Sequence, residues 1–143
     1  MDARILMLLE APGPKAVKTG YISRRNPDPS ARNMLALLAE AGIEDCDVLL
    51  WNIVPWYVGN GQRIRPVRVA DIRQAGPWTE ELVALLPRLE TVVLVGKKAQ
   101  RAAGWFPDYR VLRTWHPSNL VFNCWPKRRA EVADAFRQAC SSA

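Results

Sequence analysis

Arg4-Ile-Leu-Met-Leu-Leu9 opens the chain with an apolar run of strand length. A strand with one wet face alternates apolar and polar side chains, so a run without polar members suits a strand covered on both faces, as in a parallel sheet. Two further segments read the same way: Asp47-Val-Leu-Leu-Trp-Asn-Ile-Val54, ended by Pro55, and Thr91-Val-Val-Leu-Val95, which Gly96 turns tightly. A fourth, Tyr109 to Trp115, has Val111, Leu112 and Trp115 as its apolar positions, and Pro117 stops it by removing a backbone donor.

Helical signals alternate with these strands. Ser30 can cap a helix along which Met34, Leu35, Leu38 and Ala41 recur at helical spacing, and Gly42 closes it. A second helix is expected from Thr79 to about Leu89, with Leu82, Leu85, Leu86 and Leu89 on one face and Pro87 distorting its last turn. A short helix from Lys97 to Ala103 follows the third strand. A final helix, with Pro126 in its first turn, carries Val132, Phe136, Ala139 and Cys140 on one stripe. Two stretches lack a period: Ala11 to Pro29, a long loop rich in Pro, Gly and charge, and Trp56 to Gly76, read as loop with a short helix at its end. Four βα units predict an α/β fold, a central four-stranded parallel sheet with helices on both faces, built as one domain over residues 1–143.

Composition bounds the function. The 143 residues are 49% hydrophobic and 24% charged, which suits one globular domain with a sizeable core. No apolar run approaches the ~20 residues of a membrane span. Met1 to Glu10 is too short, and too abruptly followed by Pro and Gly, for a signal peptide, so a soluble, cytoplasmic protein with no membrane partner is expected. Three cysteines, Cys46, Cys124 and Cys140, are odd in number and lack C-x-x-C spacing. They are expected to be reduced thiols, with no disulfide framework, zinc site or iron–sulfur cluster, and no metal or cofactor is expected. A net charge of +6 points to a polyanionic partner.

Three strand ends offer chemistry. Glu10-Ala-Pro-Gly13 follows the first strand, Asn52 lies near the end of the second, and His116, the only histidine in the chain, follows the last. In an open α/β sheet ligands bind outside the carboxyl ends of the strands, and these three supply an acid, an amide that donates and accepts, and an imidazole suited to meeting a developing anion near neutral pH. Gly13 to Gly20 has the wrong spacing for a P-loop, and no nucleophile elbow accompanies His116.

These motifs, in this order, resemble the uracil-DNA glycosylase superfamily over nearly the whole chain. Glu10-Ala-Pro-Gly13 is similar to the first motif of its iron–sulfur branch, Val48-Leu-Leu-Trp-Asn-Ile-Val54 to the strand whose Asn reads the pyrimidine, and Thr114-Trp-His-Pro-Ser118 to its histidine motif. Gly20-Tyr21 with Pro29-Ser-Ala-Arg-Asn33 resembles the segment of the mismatch-specific branch that stacks a ring on the flipped base, and Val93-Leu-Val-Gly-Lys-Lys-Ala99 the strand–turn–helix before the last motif. The resemblance implies a three-layer αβα sandwich and a monomeric, monofunctional base-excision repair enzyme. Its partner would be single- or double-stranded DNA containing uracil or a related deaminated base.

It also implies roles. Asn52 would read the base edge, Tyr21 would stack on it, and His116 would donate to the departing base. Glu10 would stabilise the sugar and position water, with Gly13 and Ala11 lining the base pocket. Pro12, Pro117, Ser118 and Asn119 would face the DNA. Leu120, four residues beyond His116 on what reads as a loop, would be the wedge that fills the gap left by the extruded nucleotide, with Lys127, Arg128 and Arg129 adding salt-dependent affinity.

Departures from the family pattern matter equally. Leu9 stands where the first motif begins with glycine, and Ala11 where other branches place the Asp or Asn that holds the water. Gly13 stands where the uracil-strict branch carries a tyrosine excluding thymine, and the cluster cysteines are missing. The alternative to a glycosylase is therefore a protein of the same fold that binds DNA or a base with little or no catalysis; an α/β domain binding another small anion is a third reading.

Overall fold

The structure, a computed structural model, describes residues 1–11, 29–60, 63 and 65–141. Four strands, β1 (Ile5–Leu9), β2 (Val48–Asn52), β3 (Thr91–Val95) and β4 (Arg110–Thr114), form one sheet in the order β2-β1-β3-β4. All three pairings are parallel, with Leu9 opposite Asn52, Ile5 opposite Thr91 and Val95 opposite Thr114. The expected strands are thus present, β3 with the expected bounds and the others trimmed by a residue or two at their ends.

Helices cover both faces. On one lie α1 (Pro29–Glu40) and, at the end of the chain, α4 (Lys127–Cys140); on the other lie α2 (Val69–Ala84) and a 3₁₀ helix, Ala99–Trp105. A short helix, α3 (Asn119–Cys124), precedes α4. The alternation of a strand divides the core accordingly. Leu6, Leu8, Val92 and Leu94 pack with Ile72, Leu82 and Phe106 on the α2 side, while Ile5, Met7, Val93 and Val95 pack with Met34, Leu37, Val132 and Phe136 on the α1/α4 side. β1 and β3 are central strands buried on both faces, which is why their sequences carry no polar alternation.

Two α-helices and one 3₁₀ segment differ from expectation. The second begins at Val69, ten residues before Thr79, and ends at Ala84 rather than near Leu89. Its start is fixed by Asp71, which accepts the backbone N–H of Arg68 at 2.8 Å and the forked guanidinium of Arg65 at 2.7 and 2.9 Å. Those donors, the Arg65 side chain foremost, hold the Asp71 carboxyl well below the usual carboxylate range. The short helix expected at the end of Trp56 to Gly76 and the helix expected from Thr79 are one continuous helix, with Pro77 inside it. Pro77 and Arg73 are both exposed, so water can satisfy the Arg73 carbonyl that a proline N leaves without its donor. Leu82 and Leu86 are buried as expected, but Leu85 is exposed. The other α-helix is α3, where a loop was expected; at six residues it is too short to show a period. The turn after β3 is 3₁₀ and runs two residues further than Ala103.

Candidate active site

The sheet order reverses direction between β1 and β3, so the carboxyl edge there is the switch point at which open α/β sheets bind ligands. The ends of β1 and β2 are zipped together past the last ladder pair: the N–H of Ile53 donates to the Leu9 carbonyl at 2.8 Å and that of Val54 to the Glu10 carbonyl at 3.0 Å. Asn52 is therefore held beside Glu10 by backbone alone. Counting alternate positions from Val48 and Leu50, which face the α1/α4 layer, the Asn52 side chain projects to that same layer. It is 3% exposed, and no hydrogen bond joins its amide to another described residue. A buried amide whose polar atoms make no such bond has its hydrogen-bonding capacity in hand for a ligand.

On the other side of the switch point, Gly96 and the chain after β4 close together. The Gly96 N–H donates to the Thr114 carbonyl at 2.9 Å, and Gly96 has a φ of +92°, a conformation that glycine adopts without steric cost. A Cβ at Gly96 would lie 3.5 Å from Cβ of His116, so the turn and the histidine are in direct contact. Gln100 on the 3₁₀ helix reinforces the pair by donating to the same Thr114 carbonyl at 3.1 Å. Thr114 is buried and His116 half-buried. From β2 to β4 the edge spans three strand spacings, about 14 Å, with Asn52 at one end, Glu10 between and His116 at the other.

The segment after His116 is anchored from two directions. Asn33 of α1 donates its amide to the Pro117 carbonyl at 2.9 Å and to Asn119 Oδ1 at 2.9 Å. Ser118 is the N-cap of α3, its Oγ accepting the Val121 N–H at 3.1 Å. Pro117 is buried, and Asn119 is exposed. Leu120 stands in the first turn of α3 rather than on a loop and is 72% exposed, whereas Phe122 packs on the core. Lys127 is exposed. Arg129 is engaged elsewhere, forming an ion pair with Glu40 of α1, whose carboxyl that guanidinium holds below its usual range. Arg128 is stacked between the rings of Trp115 and Trp125.

Ala11 packs, partly buried, against the α2-side core. Pro12, Gly13 and Tyr21 lie outside the described residues. Asn33 and the two tryptophans are the additions that residue patterns did not single out. Asn33 falls within the Pro29-Ser-Ala-Arg-Asn33 segment, and a polar residue otherwise facing the buried side of a helix was the available signal. A groove of about 490 Å³ between α2 and the 3₁₀ helix, lined by Pro77, Val83 and Trp105 among others, opens on the opposite face of the sheet from Asn52.

Comparisons with known proteins bear on the family and the fold. No individually curated protein matches the sequence. Among solved structures, the chain is similar to the solution structure of a candidate uracil DNA glycosylase from Methanosarcina acetivorans, with a TM-score of 0.61 at 14% identity, over 98% of this chain and 92% of that one. A likeness at that identity concerns the fold. The family model of the uracil DNA glycosylase superfamily, however, matches residues 1–139, nearly the full length, and the chain belongs to that superfamily.

Proposed function

We propose that this chain is a monofunctional DNA glycosylase that hydrolyses the N-glycosidic bond of uracil, or a related deaminated base, flipped out of DNA. The observation that carries the reading is the placement of Asn52 and His116 at the two ends of one sheet edge, the first a buried amide facing the α1/α4 layer, in a chain of this superfamily. Excision requires that the base leave the stack and enter a pocket. There the Asn52 amide would donate to one carbonyl of the pyrimidine edge and accept from its ring N–H. As the C1′–N bond breaks, the electron pair stays with the base, and His116 would donate to the oxygen on which that charge collects. Glu10 would stabilise the cationic sugar and orient the water whose oxygen bonds to C1′. Tyr21 would stack on the base, and Leu120, projecting from α3, would occupy the vacated space in a duplex. The protein would act as a monomeric cytoplasmic domain.

One observation favours a second reading. Ala11, at the position where other branches hold the water with an Asp or Asn, has no side chain able to do so and leaves Glu10 alone in that role, which suits a protein that binds DNA or a base without cleaving. Incubating the protein with single-stranded and duplex oligonucleotides carrying uracil, hypoxanthine or xanthine, followed by alkali, distinguishes the two. Scission at the modified base supports the glycosylase; intact strands with DNA binding retained select the silent binder; intact strands without binding overturn both.

A further inference from the structure

Beyond His116 the turn between α3 and α4 holds three side chains in a stack. The guanidinium carbon of Arg128 lies 3.7 Å from the ring centroid of Trp115 and 3.9 Å from that of Trp125. Both distances are those of close cation–π contact, so the planar cation is clamped between two indoles and only its edge remains for other partners. Trp115 is the fixed side, since its Nε1 donates to Glu131 of α4 and it packs partly buried on the α1/α4 core. Trp125 is 51% exposed, with Arg128 against one face of its ring. A stack that served only to pack α3 on α4 would bury this ring; here half of it meets water.

The surroundings say what the exposed ring fits. The rings of the stack bracket the candidate segment in sequence, Trp115 immediately before His116 and Trp125 at the C-cap of α3, five residues after Leu120. Lys127 is exposed beside it. The first turn of α4, which begins there, has no acidic residue, and Glu131 one turn on is engaged by the Trp115 Nε1–H. An aromatic face flanked by cations matches alternating bases and phosphates. We propose that Trp125 stacks a nucleobase of single-stranded DNA leading out of the site, while the edge of Arg128 holds the neighbouring phosphate. This rests on the DNA glycosylase reading and adds to it the state of the strand. A duplex base is already covered on both faces, so an indole can take one only where the strand is unpaired or frayed.

Fluorescence anisotropy with a short fluorescein-labelled oligothymidylate, and with the same strand annealed, tests this. Trp125→Leu keeps apolar volume but cannot stack, and the single-strand Kd should weaken roughly 5- to 100-fold, the equivalent of one stacked base, with a smaller loss on duplex. Trp125→Tyr should restore most of the affinity. Arg128→Gln should flatten the slope of log Kd against log salt by about 0.7 on single strands, the change expected when one phosphate fewer is neutralised. A folded Trp125→Leu protein that binds single strands like wild type, or loses both substrates equally, overturns the proposal while leaving the glycosylase reading intact. Wild type that binds neither DNA overturns the reading beneath it as well. A check free of variants is photocrosslinking of wild type to an iodouracil-containing single strand: attachment at Trp125 supports the stack, and attachment only elsewhere overturns it.

Discussion

The two halves of the candidate site are built in opposite ways. At the sheet edge, Asn52 and the Gly96–His116 contact take their positions from the core itself: strand register, backbone bonds and a glycine turn place them. At α3, Leu120 and Trp125 are exposed, and their placement depends on a serine cap, two hydrogen bonds from Asn33 and an arginine stack. The first region suits recognition and chemistry, where tenths of an ångström count. The second suits a strand that must be gripped and released. If so, substitutions at the edge should change rate or base preference, and substitutions at α3 should change which DNA is accepted.

The largest effect is expected at the edge. His116→Ala should lower the excision rate by ~10²- to 10³-fold on single-stranded and duplex uracil alike; activity within a few-fold of wild type would remove His116 from the chemistry. Asn52→Asp, which turns the donor of the amide into an acceptor, should shift excision from uracil toward cytosine, checked by alkali cleavage of both substrates. Unchanged preference in a folded variant would leave the base to another reader.

Leu120→Ala separates the regions most sharply. At 72% exposure the side chain contributes little to the core, so the unfolding free energy should stay within the roughly 0.5 kcal/mol typical of surface changes. Activity on paired uracil should fall while single-strand excision persists. Equal losses on both substrates would place Leu120 in the machinery of the edge. Asn33→Ala tests the link between regions, because it removes both bonds to the Pro117–Asn119 segment. A loss of ~1 kcal/mol in stability is expected, with roughly tenfold lower kcat on both substrates and a smaller change in KM. The smallest effect lies away from the site. Asp71, with its folded pKa depressed by Arg65 and the Arg68 N–H, stabilises the fold above the ordinary carboxylate pKa, and that contribution is lost as pH falls below about 4 toward the depressed value. Asp71→Asn should therefore flatten the acid limb of stability against pH without altering excision at neutral pH.

Legibility in the sequence follows the same division. β1 and β3 are apolar throughout because both faces are covered, and that pattern is visible without a structure. The strand-end residues were legible because each terminates a strand with a proline or glycine. α2 was obscured at its start because Gly76 and Pro77 signal a break, whereas the Arg65–Asp71 fork that nucleates it pairs side chains across a stretch with no period. α3 was obscured by brevity. Arg129 read as another cation for DNA, since no local pattern announces Glu40 as its partner 89 positions earlier. The stack of Trp115, Arg128 and Trp125 was illegible for a related reason: Trp125 and Arg128 are local neighbours across the start of α4, but only the tertiary fold brings Trp115, ten residues before Trp125, to the cation.

The register of the central pair also sets the order in which the molecule can be made. Ile5 finds Thr91 as its neighbour, over half the chain later, while its partner on the other side, Val48, leaves the ribosome much sooner. During synthesis, β1 and β2 can pair with α1 against them while the inner edge of β1, apolar along its length, waits uncovered for β3; non-local pairing of this kind is slow and exposed to aggregation. Glu10 and Asn52 are thus together in a nascent chain well before His116 exists. A truncated product holds the half of the site that would recognise a base and lacks the half that would release it.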